Sequence, residues 1–179
     1  MNGKQALEKL KIGNKVYLSA ERGCGDISPA IRKITAENGQ HPYAIIVTCS
    51  DSRVIPESIF SAGIGELFVI RAAGNVIDDV QLGSIEYAAA HLGCPLVVVL
   101  GHSRCGAVDA AVNHEPSGFI KFITDKIRTA VGEEKDDVKA CCLNVRHNVN
   151  RIKKSLSIDG LQVAGAIYRI ESGEVQFLD

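Results

Sequence analysis

Tyr43-Ala44-Ile45-Ile46-Val47-Thr48 is an almost unbroken apolar run that stops at the polar cluster Cys49-Ser50-Asp51-Ser52-Arg53. A run this short and this rich in β-branched residues reads as a strand buried on both faces, the habit of parallel sheets covered by helices. Residues 67–71 and 96–101 read the same way, and residues 161–170 alternate more weakly before a turn at Ser172-Gly173. Residues 175–178 then return as a hairpin strand.

Helical signals fill the intervals. Ser28-Pro29 places an N-cap and a first-turn proline before a helix that Asn38-Gly39 stops. Residues 79–92 carry Leu82, Ile85, Ala89 and Leu92 at the spacing of one helical face, closed by Gly93. Residues 136–154 form the longest helical stretch, with Val138, Cys142, Val145, Val149 and Ile152 on one side. Strands alternating with helices and joined by right-handed crossovers predict an α/β fold. The expected architecture is a central four-stranded parallel sheet with helices on both faces and a fifth, antiparallel edge strand. One domain over 1–179 is expected, with an N-terminal helical arm at about 1–38 and an α/β core at about 40–179. No internal repeat or low-complexity linker divides it.

The bulk properties narrow the function. Of 179 residues 46% are apolar, which suits a globular chain with a large core. Twenty basic and 21 acidic residues leave a formal charge of -1, so nothing in the charge favours a nucleic acid or an anionic membrane as partner. The N-terminus lacks the apolar segment of a signal peptide, and no run reaches the roughly 18 residues of a membrane span. A cytoplasmic protein is expected, and there six cysteines are thiols or metal ligands rather than disulfides.

Ligands in parallel α/β sheets bind at the carboxyl ends of strands, where this sequence concentrates its reactive residues. Cys49-Ser50-Asp51-Ser52-Arg53 follows the first strand and Gly101-His102-Ser103-Arg104-Cys105-Gly106 the third. Cys49, His102 and Cys105 together offer the nitrogen and sulfur donors of a zinc site, and three protein ligands with a fourth position open mark a catalytic zinc. Any one of them alone would read as a core thiol or a capping residue. Asp51 is either the fourth ligand, closing the shell, or a carboxylate that orients a water on the metal. Arg53 decides between them, because a carboxylate held by a guanidinium fork is less free to bind metal.

The two motifs closely resemble those of the β-class carbonic anhydrases, and nearly the whole chain can be laid on that pattern. Further matches are Gln40 with Pro42, the run Gly65-Glu66-Leu67-Phe68-Val69-Ile70-Arg71, Gly74-Asn75, Ile85-Glu86-Tyr87-Ala88 and Val163-Ala164-Gly165-Ala166-Ile167-Tyr168. The resemblance implies one zinc ion on Cys49, His102 and Cys105, with Asp51 and Arg53 as a catalytic pair. It also implies substrate contacts from Gln40, Phe68, Ala73 and Tyr87, the set of the subgroup with an open zinc position. The implied reaction is the reversible hydration of carbon dioxide to bicarbonate and a proton, with zinc lowering the pKa of water so that hydroxide attacks. Two thiolate ligands would leave that water less acidic than three histidines do, so activity should rise toward alkaline pH.

The chain departs from the family pattern at Ala72, where Asn is more usual, and at Val16, where Arg is usual. Hydrolysis of carbon disulfide or carbonyl sulfide on the same scaffold stays open as an alternative, as does a zinc or redox-sensing module without turnover. The resemblance further implies a homodimer or larger even-numbered oligomer with the site at the dimer interface, where Gln40, Phe68 or Tyr87 would serve a neighbour's zinc. His41, His91, His114 and His147 read as surface or helix-face histidines, and Cys94, Cys141 and Cys142 as incidental thiols. Cys24, between two glycines, reads as exposed and oxidisable. A thioredoxin-type motif and a glycine-rich phosphate loop are both absent from the sequence.

Overall fold

The computed structural model describes residues 1–20 and 25–178, so the reading of Cys24 lies outside the described residues. Its five strands are β1 (Ala44–Thr48), β2 (Leu67–Arg71), β3 (Leu96–His102), β4 (Gln162–Tyr168) and β5 (Val175–Leu178). They form one sheet in the order β2-β1-β3-β4-β5, parallel except for the antiparallel β4–β5 pair. The α/β architecture expected from the apolar runs is the one found. Thr48 pairs with Leu100 in register, so the carboxyl ends of β1 and β3 emerge side by side. Chain direction reverses there, since β1 leads to β2 on one side of the sheet and β3 lies on the other, and such switch points open a crevice for ligands.

Among the described residues seven helices pack around the sheet: α1 (Gly3–Ser19), α2 (Pro29–Asn38), α3 (Pro56–Ile59), α4 (Asp79–Ala90), α5 (Gly106–Asn113), α6 (Ile120–Val131) and α7 (Asp137–Ser155). Alternation along the strands divides the core into two layers. Ala44 and Ile46 face Ala6 and Leu10 of α1, whereas Ile45 and Val47 face the layer built by α4, α6 and α7. Helix ends follow the sequence signals: Ser28 Oγ accepts from Ile31 N at 3.3 Å and Asp136 Oδ1 from Lys139 N at 2.8 Å.

In α7 the buried face is rotated from the apolar stripe that the sequence suggests. Val138 is exposed and Cys142 half-buried, while Cys141, Asn144, Val145, Asn148, Val149 and Ile152 point inward. Two asparagines four residues apart therefore sit on the core side. Burying an amide is unfavourable unless its hydrogen bonds are made, so their partners matter. None of the helices among the described residues is long and apolar enough to cross a membrane.

Candidate metal centre

Cys49 leaves the end of β1, His102 is the last residue of β3, and Cys105 occupies the N-cap position of α5. The strand register brings these three positions together, and their ligand atoms all lie within 4.8 Å of one another. All three residues are buried. His102 is fully buried, its Nδ1 faces the Ser103 carbonyl at 2.9 Å, and its Nε2 has no hydrogen-bond partner. A buried ring nitrogen without a partner is unfavourable, and a metal ion would satisfy it. Two thiols and one imidazole nitrogen are a donor set that suits zinc, so the residues fit that ion.

The short span from His102 to Cys105 is pinned from two directions. Ser103 Oγ donates to Glu171 Oε2 and accepts from Ile170 N, each at 3.0 Å, and Arg104 Nε pairs with Glu171 Oε1 at 2.7 Å. Arg104 takes a left-handed φ of 55°, and its N–H donates to Asp137 Oδ2 at 3.2 Å. Cys49 is fixed through its sulfur, which accepts from Gly74 N at 3.2 Å. Arg71 fixes the backbone beyond it by donating to the Cys49 and Asp51 carbonyls at 3.1 and 2.7 Å.

Asp51 stands at the rim, with Oδ2 3.9 Å from His102 Nε2. Arg53 donates from Nε to Oδ1 at 3.0 Å and from a terminal nitrogen to Oδ2 at 2.7 Å, and the same nitrogen reaches the Arg104 carbonyl at 3.2 Å. The Arg53 guanidinium holds the Asp51 carboxyl well below the usual carboxylate range. In the thiol pair, a hydrogen bond from Cys105 holds Cys49 down, and the same bond, with burial, pushes Cys105 up. Burial opposes protonation of His102, but Cys49, the Ser103 carbonyl and Asp51 together outweigh it and raise the pKa.

Other residues singled out in the sequence lie at varying distances from this group. Ala73 precedes Gly74 in a 3-10 turn over Ala73–Asn75 and so lies beside Cys49. Phe68 pairs in register with Ile45, four residues before Cys49, and its ring lies 6.2 Å from that of Tyr87, tilted by 48°, with Tyr87 49% exposed. Gln40 is exposed before the amino end of β1. The five-residue strand, roughly 16 Å long at 3.3 Å per residue, separates it from Cys49. One chain therefore does not bring Gln40, Phe68 or Tyr87 to its own Cys-His-Cys group. His41, His91 and His114 are exposed and His147 is half-buried.

Four supporting residues carry no role in the sequence reading: Arg71, Asp137, Asn144 and Glu171.

The family profile described as carbonic anhydrase matches residues 44–175, which contain Cys49, Asp51, Arg53, Phe68, Ala73, Tyr87, His102 and Cys105 but not Gln40. A carbonic anhydrase of Mycolicibacterium smegmatis is 35% identical over 162 residues, covering 81% of this chain and 79% of that protein. Carbonic anhydrase 2 of Mycobacterium tuberculosis is 35% identical over 158 residues, covering 79% and 76%. Among solved structures, the β-carbonic anhydrase CafA of Aspergillus fumigatus superposes with a TM-score of 0.76 at 30% identity, over 84% of this chain and 81% of that one. With the profile spanning most of the chain and the fold shared with a solved member, this protein belongs to the β-class carbonic anhydrase family.

Proposed function

We propose that this protein is a zinc enzyme that reversibly hydrates carbon dioxide to bicarbonate and a proton. The observation that carries the reading is the buried Cys49, His102 and Cys105 group, whose ligand atoms lie within 4.8 Å of one another, with His102 Nε2 unpartnered and an ionised Asp51 beside it. Zinc, when bound, supplies the Lewis acidity that brings the pKa of water near neutrality. Cys49, His102 and Cys105 hold the ion. Asp51 accepts a hydrogen bond from the attacking oxygen and turns its lone pair toward the substrate carbon, while Arg53 keeps Asp51 ionised and aimed. That Arg53 occupies both Asp51 oxygens supports an open fourth position rather than a closed shell.

The substrate pocket on this reading is completed by a second copy of the chain. Gln40 would offer its amide to bicarbonate, with Phe68, Tyr87 and Ala73 walling a small apolar space. Exposure of Gln40 and Tyr87 at the end of β1 opposite the chain's own Cys49 supports a homodimer, or a larger even-numbered assembly, with the site at the interface. A cytoplasmic location suits a site that needs two reduced thiols.

Stopped-flow hydration of carbon dioxide by zinc-loaded protein tests the proposal directly. Turnover abolished by Cys49→Ser is expected. Zinc-loaded protein that releases sulfide from carbonyl sulfide but leaves carbon dioxide untouched, or that turns over neither, would overturn it.

A further inference from the structure

We infer that Asn144, oriented by Asn148, is a positioning residue for the metal-binding sulfur of Cys49, acting through the backbone of Gly74, whose carbonyl it holds and whose N–H meets the sulfur. The inference rests on the reading of Cys49 as a metal ligand. It begins with the two asparagines that α7 turns into the core. Asn144 is 1% exposed and Asn148 4%, in a helix interior where asparagine is a poor choice. Their hydrogen bonds run in one direction. Asn148 Nδ2 donates to Asn144 at its carbonyl and at Oδ1, 3.0 and 3.2 Å, which fixes the amide with its nitrogen outward. Asn144 Nδ2 then donates to the Gly74 carbonyl at 2.8 Å, and Gly74 N donates to Cys49 Sγ.

Gly74 is built for this link. Its φ of 66° is left-handed, and a Cβ placed there would stand 2.6 Å from Ile127 Cδ1 and 3.1 Å from Ala107 Cβ. A side chain at this position would not fit, so glycine is what lets the tight turn hold its carbonyl toward Asn144 and its N–H toward Cys49. A donor on the carbonyl side sets where the N–H points on the sulfur side. An N–H directed at a thiolate draws charge from the sulfur and sets both its position and its donor strength toward a metal. Nothing in the packing of α7 alone calls for two buried amides, since an apolar pair would fill the same space without a requirement for partners.

Cobalt(II) is the probe, because its thiolate-to-metal absorption reports on the sulfur itself. In Asn144→Leu the charge-transfer band should move to longer wavelength, and cobalt affinity should fall roughly ten-fold or more. Asn148→Leu, which leaves the Asn144 bond in place, should shift the band the same way by less. A folded Asn144→Leu protein with an unmoved band and affinity within about two-fold of the parent overturns the inference, even if its melting temperature drops. Should that variant fail to fold, unaltered protein loaded with cadmium-113 gives the answer by nuclear magnetic resonance. A scalar coupling from the Gly74 amide proton to cadmium is expected, and its absence beside couplings from other groups overturns the relay. Parent protein that takes up no cobalt or cadmium overturns the metal centre itself, an outcome distinct from an unmoved band.

Discussion

Arg53 closes on Asp51 from both sides of the carboxylate, with two side-chain bonds of 3.0 and 2.7 Å and a backbone bond of 2.9 Å to Oδ1. Such a fork fixes the carboxylate plane as well as its charge. Asp51→Asn should leave metal content unchanged and lower turnover by roughly 10²-fold, the usual scale for losing a positioned proton acceptor. Arg53→Ala should lose a similar amount. Because Arg53 keeps Asp51 ionised from weak acid upward, a rise in wild-type activity toward alkaline pH would come from another group, and it should survive in Asp51→Asn. Stopped-flow rates across pH, beside metal analysis, check both points; an Asp51→Asn enzyme with wild-type turnover removes the assigned role.

Gly74→Ala probes the turn that supports Cys49. A left-handed φ together with a clash on Ile127 should destabilise the fold by about 1–3 kcal/mol. Chemical denaturation of apo and zinc-loaded protein separates this from its second effect, a loss of zinc affinity as the Gly74 N–H leaves the sulfur. The two losses should appear together.

Two inactive variants should rescue one another if the site is shared between copies. Cys49→Ser lacks a metal ligand but keeps Gln40, and Gln40→Ala keeps the metal site. In a hybrid dimer one of the two pockets is wild type. Random mixing should restore about a quarter of wild-type activity, since half of the dimers are hybrids with one working site each. Activity no greater than the sum of the separate variants would return Gln40 to a purely local role.

Glu66 joins α1 to the entry of β2, accepting from Lys9 Nζ and from Gly63 N, both at 2.7 Å. Burial opposes its ionisation, but these donors outweigh it and hold its carboxyl below the ordinary glutamate value. The folded-state pKa is depressed, so the contribution is present above the unfolded pKa of about 4.3 and is lost as pH falls through the folded value. Glu66→Gln should therefore melt lower than wild type at pH 7, and the gap should close near pH 3. Thermal unfolding at both values checks the sign.

The five strands and the meeting of Cys49 with His102 were legible because buried parallel strands advertise themselves by composition, and their carboxyl ends are where polar residues abruptly begin. Helix starts were legible for a similar reason, since Ser28 and Asp136 act locally. The face of α7 was not. Hydropathy assigns Asn144 to the outside, and only the Gly74 carbonyl, 70 residues earlier in the chain, reverses that. Asn14 shows the same pattern: its side chain donates to the Ile59 and Gly173 carbonyls and accepts from Val175 N, partners no local window contains. Glu171 and Asp137 escaped notice as ordinary surface acids, though they clamp the loop between two candidate ligands.

Helix α7 contributes no ligand, yet its first residue tethers Arg104 and its middle turns brace Gly74. The two short motifs at 49–53 and 101–106 are therefore not portable. Grafted onto another parallel sheet with the same strand spacing they would bring two thiols and an imidazole together, but without a helix crossing behind them neither the sulfur of Cys49 nor the loop before Cys105 would keep its aim.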